Sequence, residues 1–418
     1  MIIPEKVVFK NGYKEDGFVG IRYDKDKINI LLPLGYDKGT FDEVNTLDAE
    51  QKVELLLLLK TITLVKSYTG DKTDFGNDDG EKNEIPFNSF IWIINDYFNN
   101  GLYQEIEKRY TQRGHGKINW KKTLNSEHYF SEKSVDFINP FYESNIQKNN
   151  VITELNNYCL HLSVKYVGFI FGKINLPECS IKTSFIDDNL KFFVDIINKE
   201  LSRSFNDRKK ILLTHIKRIL TMSYDDSFEN QRSYGTRKYE YAWEKMVNES
   251  LGSKIDISKY FPNAFWNIKG KKPEEDRSKL RPDSIYIDKS NNKAYILDAK
   301  YYKYGVTGLI SDLPHTDSIQ KQITYGDHIL NNLDIYGFPQ NNIYNAFIIP
   351  FNKKQEPFIN DENMVYMGYA NSAWRKDNFS HERISLLLVD TKYLIDCFYH
   401  NEDADMKKLV ALIEESNK

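Results

Sequence analysis

From Arg281 to Lys303 the chain reads RPDSIYIDKSNNKAYILDAKYYK. Two apolar, β-rich runs, SIYI and AYILDAKYY, flank the turn-forming residues Lys289–Asn292. A run, a turn and a second run of this kind fold as an antiparallel strand pair. Such pairing sets the start of the first strand beside the end of the second. Residues two apart on a strand point the same way. Asp298 and Lys300 therefore share a face and can converge with Asp283 on one point. Two carboxylates on rigid strands suit Mg2+, which takes oxygen ligands and retains several waters. Mn2+ is an expected substitute. A lysine beside the ion can orient a water or help deprotonate it, and the ion neutralises charge building on a phosphoryl group. The pattern predicts phosphodiester chemistry.

The flanks complete an α/β module. Upstream, YGTRKYEYAWEKMVNESLG places Tyr239, Trp243, Met246, Val247 and Leu251 near one helical face. Glu244 lies on this helix, and Glu240 one turn earlier. Downstream, HTDSIQKQITYGDHIL predicts a helix near 316–331 with Gln322 and Tyr325 one turn apart on a shared face. The strands NAFIIPF, MVYMGYA and ISLLLVD follow, then a last helix from Thr391. Helix, strand pair, helix and further strands predict a mixed central sheet flanked by helices.

The first half is more varied. Residues 1–45 read as β-rich, with GFVGIRY and INILLPLGY as short strands. Asp48 is placed to cap a helix over AEQKVELLLLLKTITLVKSY. IPFNSFIWIINDYFNNGLYQEIEKRY reads as helical, and ITELNNYCLHLSVKYVGFIF as a buried helix. Over 187–222, Phe192, Ile196, Ile197, Leu201 and Phe205 mark one apolar face, either of one long helix or of a pair broken near Ser204–Asp207. RGHGKINWKKTL, Arg113–Leu124, is basic and punctuated by glycine. The expected division is an α+β N-terminal domain at 1–125, a helical middle or stalk at 126–234, and the α/β domain at 235–418.

A chain of 418 residues, 40% apolar and 14% aromatic, has material for two or three cores. A net charge of −3 argues against a histone-like binder. Lys and Arg outnumber Asp and Glu only within residues 101–300. That fits a surface meeting polyphosphate in one place, or a solvated lysine-rich helical face. Cys159, Cys179 and Cys397 form no CxxC pair and no zinc spacing, so a reduced, cytoplasmic protein is expected. The N-terminus has no signal-peptide core. The longest strongly apolar run, Leu55–Leu59, is far too short to span a bilayer, and no membrane partner is expected.

Pro282-Asp283 followed fifteen positions later by Asp298-Ala299-Lys300 resembles the PD-(D/E)xK nucleases. LRPDSIYID, AYILDAKYYK and DSIQKQITYG, with YEYAWEKMV and GFVGIRY…ILLPLGYD, look like the nuclease subunits of LlaJI-type restriction systems, which are similar to McrC of the McrBC system. The resemblance is most specific over residues 235–395; over 1–230 it rests on segment order. It implies a C-terminal PD-(D/E)xK core cutting double-stranded DNA, with Glu244 as a further acid at the metal beside Asp283 and Asp298. It implies Gln322 and Tyr325 beside Lys300 and the scissile phosphate, and paired nuclease domains for double-strand cleavage. It also implies docking of the N-terminal domain in a hexameric McrB-like AAA+ GTPase. The chain has no G-x-x-x-x-G-K-[ST] loop, and Gly168–Lys173 has the wrong spacing, so GTP chemistry would fall to a partner. Arg113, then Lys117, are what a finger reaching that partner would offer; the alternative is a basic surface turn. Two other readings stay open. One is a standalone Type II restriction endonuclease reading its own site, although the N-terminal half has no zinc finger or clear helix-turn-helix. The other is a non-cleaving scaffold of nuclease-like fold, against which Asp283, Asp298 and Lys300 all stand in place.

Overall fold

The computed structural model describes residues 6–24, 27–36, 47–68, 85–112, 116–130, 135–222, 232–271, 274–275, 280–376 and 378–417. Residues 85–222 form one compact unit, and residues 6–68 with 232–417 form another.

The chain opens with β1 (Lys6–Asn11), β2 (Val19–Tyr23) and β3 (Lys27–Leu32). β1 pairs parallel with β3, and β3 antiparallel with β2. The other edge of β2 takes up a strand from far along the chain, Ser233–Thr236. Helix α1 (Ala49–Tyr68) follows. Asp48 caps it as expected: the Gln51 N–H donates to Asp48 Oδ1 at 2.8 Å, and Gln51 Oε1 accepts from the Asp48 N–H.

The unit at 85–222 contains α2 (Phe87–Asn100), β4 (Glu105–Thr111), β5 (Lys117–Ile118), α3 (Trp120–Thr123), β6 (His128–Phe130), β7 (Val135–Phe137), β8 (Tyr142–Lys148), α4 (Val151–Phe171), α5 (Thr183–Asp188), α6 (Leu190–Arg203) and α7 (Asp207–Leu220). Two expectations change here, the reach of one helix and the apolar face of another, and the choice left open over 187–222 falls to the broken form. The helix read across QEIEKRY ends at Gly101, and β4 pairs antiparallel with β8 instead. β4 carries four charged residues in seven and so lacks the apolar alternation that marks a half-buried strand. The helical 187–222 segment is a series, broken at Ser204–Asn206. Its apolar face is set by Phe193 and Ile197, whereas Phe192 and Phe205 are exposed. Arg208 forks onto Asp96 through two bonds of 2.9 Å, tying α7 to α2.

His215 gives this unit a pH response. Its ring stacks on Trp92 at 4.7 Å, and its Nδ1 lies 3.0 Å from Ser89 Oγ. Burial, then the nearby Arg218, pushes its pKa down to about 4. An unfolded histidine titrates near 6.5. Between these values the unfolded chain binds the extra proton, so stability is fully present above about pH 6.5 and is lost as pH falls toward 4. The expected loss is about 1–2 kcal/mol after discounting for partial solvent screening. Urea melts at pH 7 and pH 4.5 should show it, and His215→Gln should shrink the difference. An unchanged difference in that variant would mean that another group supplies it.

The remaining chain supplies β9 (Ser233–Thr236), α8 (Tyr239–Leu251), β10 (Phe265–Trp266), β11 (Glu274–Glu275), β12 (Ser284–Asp288), β13 (Lys293–Ala299), α9 (Tyr304–Thr307), α10 (Thr316–Leu330), α11 (Leu333–Tyr336), β14 (Ile343–Phe351), β15 (Met364–Ala370), β16 (Ile384–Asp390), α12 (Thr391–His400) and α13 (Met406–Glu414). Five strands form one mixed sheet in the order β12-β13-β14-β16-β15. β13, β14 and β16 run parallel; β12 and β15 close the edges antiparallel. Every residue of β14 and β16 is buried, which is why both read as continuous apolar runs. α10 covers one face, packing Tyr325 and Ile329 on Ile285, Ala294, Ile296 and Ile343. The alternate residue Tyr295 faces the other way, and its hydroxyl donates to Glu414 on the C-terminal side of α13. This is the expected α/β module.

The division by sequence placed boundaries at 125/126 and 234/235. Both are crossed by strand pairs: β4 and β5 with β8, and β2 with β9. The N-terminal strands and α1 belong to the same unit as the five-stranded sheet. Thr391 Oγ1 donates to the Leu34 carbonyl at 2.8 Å, the Leu34 N–H donates to the Tyr301 hydroxyl at 2.7 Å, and Lys392 pairs with Glu54. Pairings this distant in sequence have no local signature.

Candidate active site

The turn between β12 and β13 fixes the site's register. Asp288 accepts from the N–H groups of Ser290 and Asn291, and Asn292 takes φ 51°. Ser284 then pairs with Leu297, so one step further Asp283 meets the end of β13. Asp283 Oδ2 accepts from the Ala299 N–H at 2.8 Å. Asp298, 2% exposed, shares its face with Lys300, whose Nζ lies 2.6 Å from Asp298 Oδ2. The three residues are brought together as the strand geometry requires.

α8 adds the third acid. Trp243 is fully buried and donates from Nε1 to the Ile348 carbonyl at 3.1 Å, fastening the helix to β14. Its neighbour Glu244 interacts electrostatically with Lys300, Asp298, Glu240 and Lys321. Burial raises the Glu244 pKa, with Asp298 and Glu240 adding and Lys300 opposing. Burial, then Asp298 and Glu244, pushes Asp283 up to about 7 against the Ala299 N–H and Lys300. Burial pulls Lys300 down, but Asp298 and Asp283 outweigh it and hold its pKa above the ordinary lysine value. Lys300 is therefore a charged donor at neutral pH.

Three carboxylates facing one ammonium form a site short of positive charge. Asp298 Oδ1 is buried and has no hydrogen-bond partner. Such an atom costs about 1–3 kcal/mol unless something binds it. Among the described residues no three His, Cys, Asp or Glu side chains are arranged to hold an ion by themselves; Lys300 holds Asp298 Oδ2 and the Ala299 N–H holds Asp283 Oδ2. This is no all-protein cage. It suits a small hard cation that takes one or two carboxylates and keeps its waters.

Gln322 and Tyr325 stand next to this centre but are engaged with the backbone. Gln322 is fully buried, and its Nε2 donates to the Ile296 carbonyl at 2.9 Å and to Asn345 Oδ1 at 3.3 Å. Asn345, in turn, donates to the carbonyls of Gln322 and His381. The Tyr325 hydroxyl donates to the Arg281 carbonyl at 2.8 Å, holding the segment that carries Asp283. Both side chains position the strand ends. α10 approaches His381 so closely that a Cβ on Gly326 would lie 2.4 Å from its ring, which is why a glycine stands there.

Two neighbours escaped the sequence reading. Lys321 is exposed, within electrostatic reach of Glu244, and lies near the Tyr325 ring. Asn345 was legible as a single amide inside the apolar run IYNAFIIPF. Arg113 lies outside the described residues, and Lys117 is exposed on β5, in the unit that does not hold the acids. A cleft of about 320 Å³ lined by Tyr36, Glu54, Lys353 and Lys392 contains none of the site residues.

The mixed sheet with flanking helices is consistent with an α/β nuclease-like fold. Residues 18–372 match the LlaJI restriction endonuclease family, and the chain belongs to it. A relative, the Type II restriction enzyme BsuMI component YdjA of Bacillus subtilis (strain 168), is 28% identical over 268 residues, 59% of this chain. The match spans 56% of that relative's length. Among the described residues no helix is long and apolar enough to cross a membrane.

Proposed function

We propose that this chain is the DNA-cutting component of a multi-subunit restriction system, a PD-(D/E)xK nuclease whose Asp283, Asp298 and Glu244 hold Mg2+ or Mn2+. The observation that carries this reading is the buried, partnerless Asp298 Oδ1 at the end of β13, beside two further acids and a charged lysine. When bound, the cation would polarise a phosphate oxygen and lower the pKa of a water. The protein's own groups do the rest. The Ala299 N–H fixes the Asp283 carboxylate, Lys300 donates to the attacking water or a non-bridging oxygen, and Gln322 and Tyr325 keep the two strand ends in register. Family membership supports DNA as the substrate, and a relative described as a component supports a system of several chains.

The partner we propose is an McrB-like AAA+ GTPase, with two nuclease domains pairing for double-strand cuts. Plasmid incubated with this chain and Mg2+ should stay intact or be cut slowly. It should be cut rapidly once the GTPase from the same system and GTP are added, and protected again by EDTA. Full-rate cutting by the chain alone would replace this reading with a standalone Type II enzyme. No metal-dependent cutting under either condition would leave a scaffold.

A further inference from the structure

Between α8 and β12 the chain makes the short hairpin β10–β11, with Phe265 opposite Glu275 and Trp266 opposite Glu274. Two strands of this length have no independent stability in water. Yet every residue from 263 to 271 is exposed, and three are large and apolar: Phe265 at 60%, Trp266 at 67% and Ile268 at 51%. The Lys271 N–H donates to the Ile268 carbonyl at 3.0 Å. Gly270, at φ 81°, sits third in that four-residue turn, as a type II turn demands. Among the described residues a Cβ on Gly270 would meet nothing within 4 Å. The turn presents Lys269 and Lys271 beside the aromatic pair.

We propose that this hairpin is a DNA contact, in which Trp266 and Phe265 stack on or wedge between bases while Lys269 and Lys271 meet adjacent phosphates. The inference rests on the nuclease reading for its substrate. With Lys269 and Lys271 at the turn and Glu274 and Glu275 on the strand behind it, it is the turn end of the hairpin that favours DNA over a protein partner. Protein interfaces take up aromatics but are depleted in lysine. Nucleic-acid surfaces pair apolar wedges and stacking rings with basic residues. The tether is also short. Eight residue steps lead from Glu275 to Asp283, a reach of at most about 28 Å. That is roughly eight base-pair rises of 3.4 Å. DNA held by the hairpin thus stays within one turn of the carboxylates.

The test uses the full chain carrying Asp298→Ala, in EDTA, with a fluorescein-labelled duplex of mixed sequence followed by anisotropy across a salt series. Adding Trp266→Ala should raise Kd by about tenfold or more. Adding Lys269→Ala with Lys271→Ala should lower the salt dependence of log Kd by about two counterions. Trp266 is exposed, so thermal melting should be unchanged. Equal Kd and equal salt slope in all three proteins overturn the hairpin assignment, as does absence of binding by the parent. The nuclease reading is scored separately, by Asp298-dependent cutting of plasmid by the otherwise unmodified chain with Mg2+, the GTPase from the same system and GTP. Hairpin-dependent binding without such cutting sinks the nuclease reading and leaves the DNA contact.

Discussion

Asp298→Ala is expected to reduce metal-dependent DNA cleavage by at least about a thousandfold, with the fold intact. Both carboxylate oxygens matter: Oδ1 is a buried acceptor without a partner, and Oδ2 holds Lys300 at 2.6 Å. Breaking a buried ion pair ordinarily costs about 3–5 kcal/mol, because the surviving charge is stranded. Here Lys300 keeps Asp283 and Glu244 as electrostatic neighbours, and the repulsion that raises the Asp283 pKa falls. The melting temperature should therefore move little. Single-turnover cleavage and thermal melting of the same preparations would check both halves. A variant that cuts at the parental rate with the same metal requirement would falsify the assignment of Asp298. A variant that is simply unfolded would show that the carboxylate serves the fold first.

The strand pair and its three converging residues were legible because everything needed is local. Two apolar runs, a turn and a fixed side-chain alternation place Asp283, Asp298 and Lys300 without any distant contact. Glu244 was legible from helix position alone, since its helix is held to β14 by Trp243, itself visible on the apolar face. The protonation of the centre was not legible. Whether Lys300 is donor or base depends on how burial balances against Asp298 and Asp283, and that balance exists only once the strands are packed.

The first half of the chain was harder to read for a different reason. β2 finds its second partner at Ser233–Thr236, and β4 pairs with Tyr142–Lys148. Neither pairing has a turn to announce it. β4 also carries four charged residues in seven, so it lacks the apolar alternation of a half-buried strand. The helices were found by period and cap, while the apolar face of α6 shifted by one residue to Phe193. A one-residue error rotates a helix by about 100°, enough to exchange a buried ring for an exposed one.

Gln322→Ala is expected to cost about 2–4 kcal/mol of stability and to slow cleavage with KM unchanged. Family likeness assigns this glutamine to the scissile phosphate, but its amide donates to Ile296 O and Asn345 Oδ1 and is fully buried. Truncation leaves both acceptors unpaired and opens a cavity between α10 and the sheet. Ile296 lies two residues before Asp298 on the same face of β13, so slack there moves the carboxylate. A displacement of the strand end lowers the rate in the bound complex without removing a contact to DNA. Tyr325→Phe, which frees only the Arg281 carbonyl, should show the same pattern at about 1 kcal/mol. The two roles separate in one experiment. A positioning glutamine loses urea stability and rate together and leaves KM alone. A glutamine that touches substrate would keep its stability and raise KM. Equal stability with a raised KM in Gln322→Ala would return the residue to the DNA and leave Tyr325 and the Ala299 N–H to hold the strand ends.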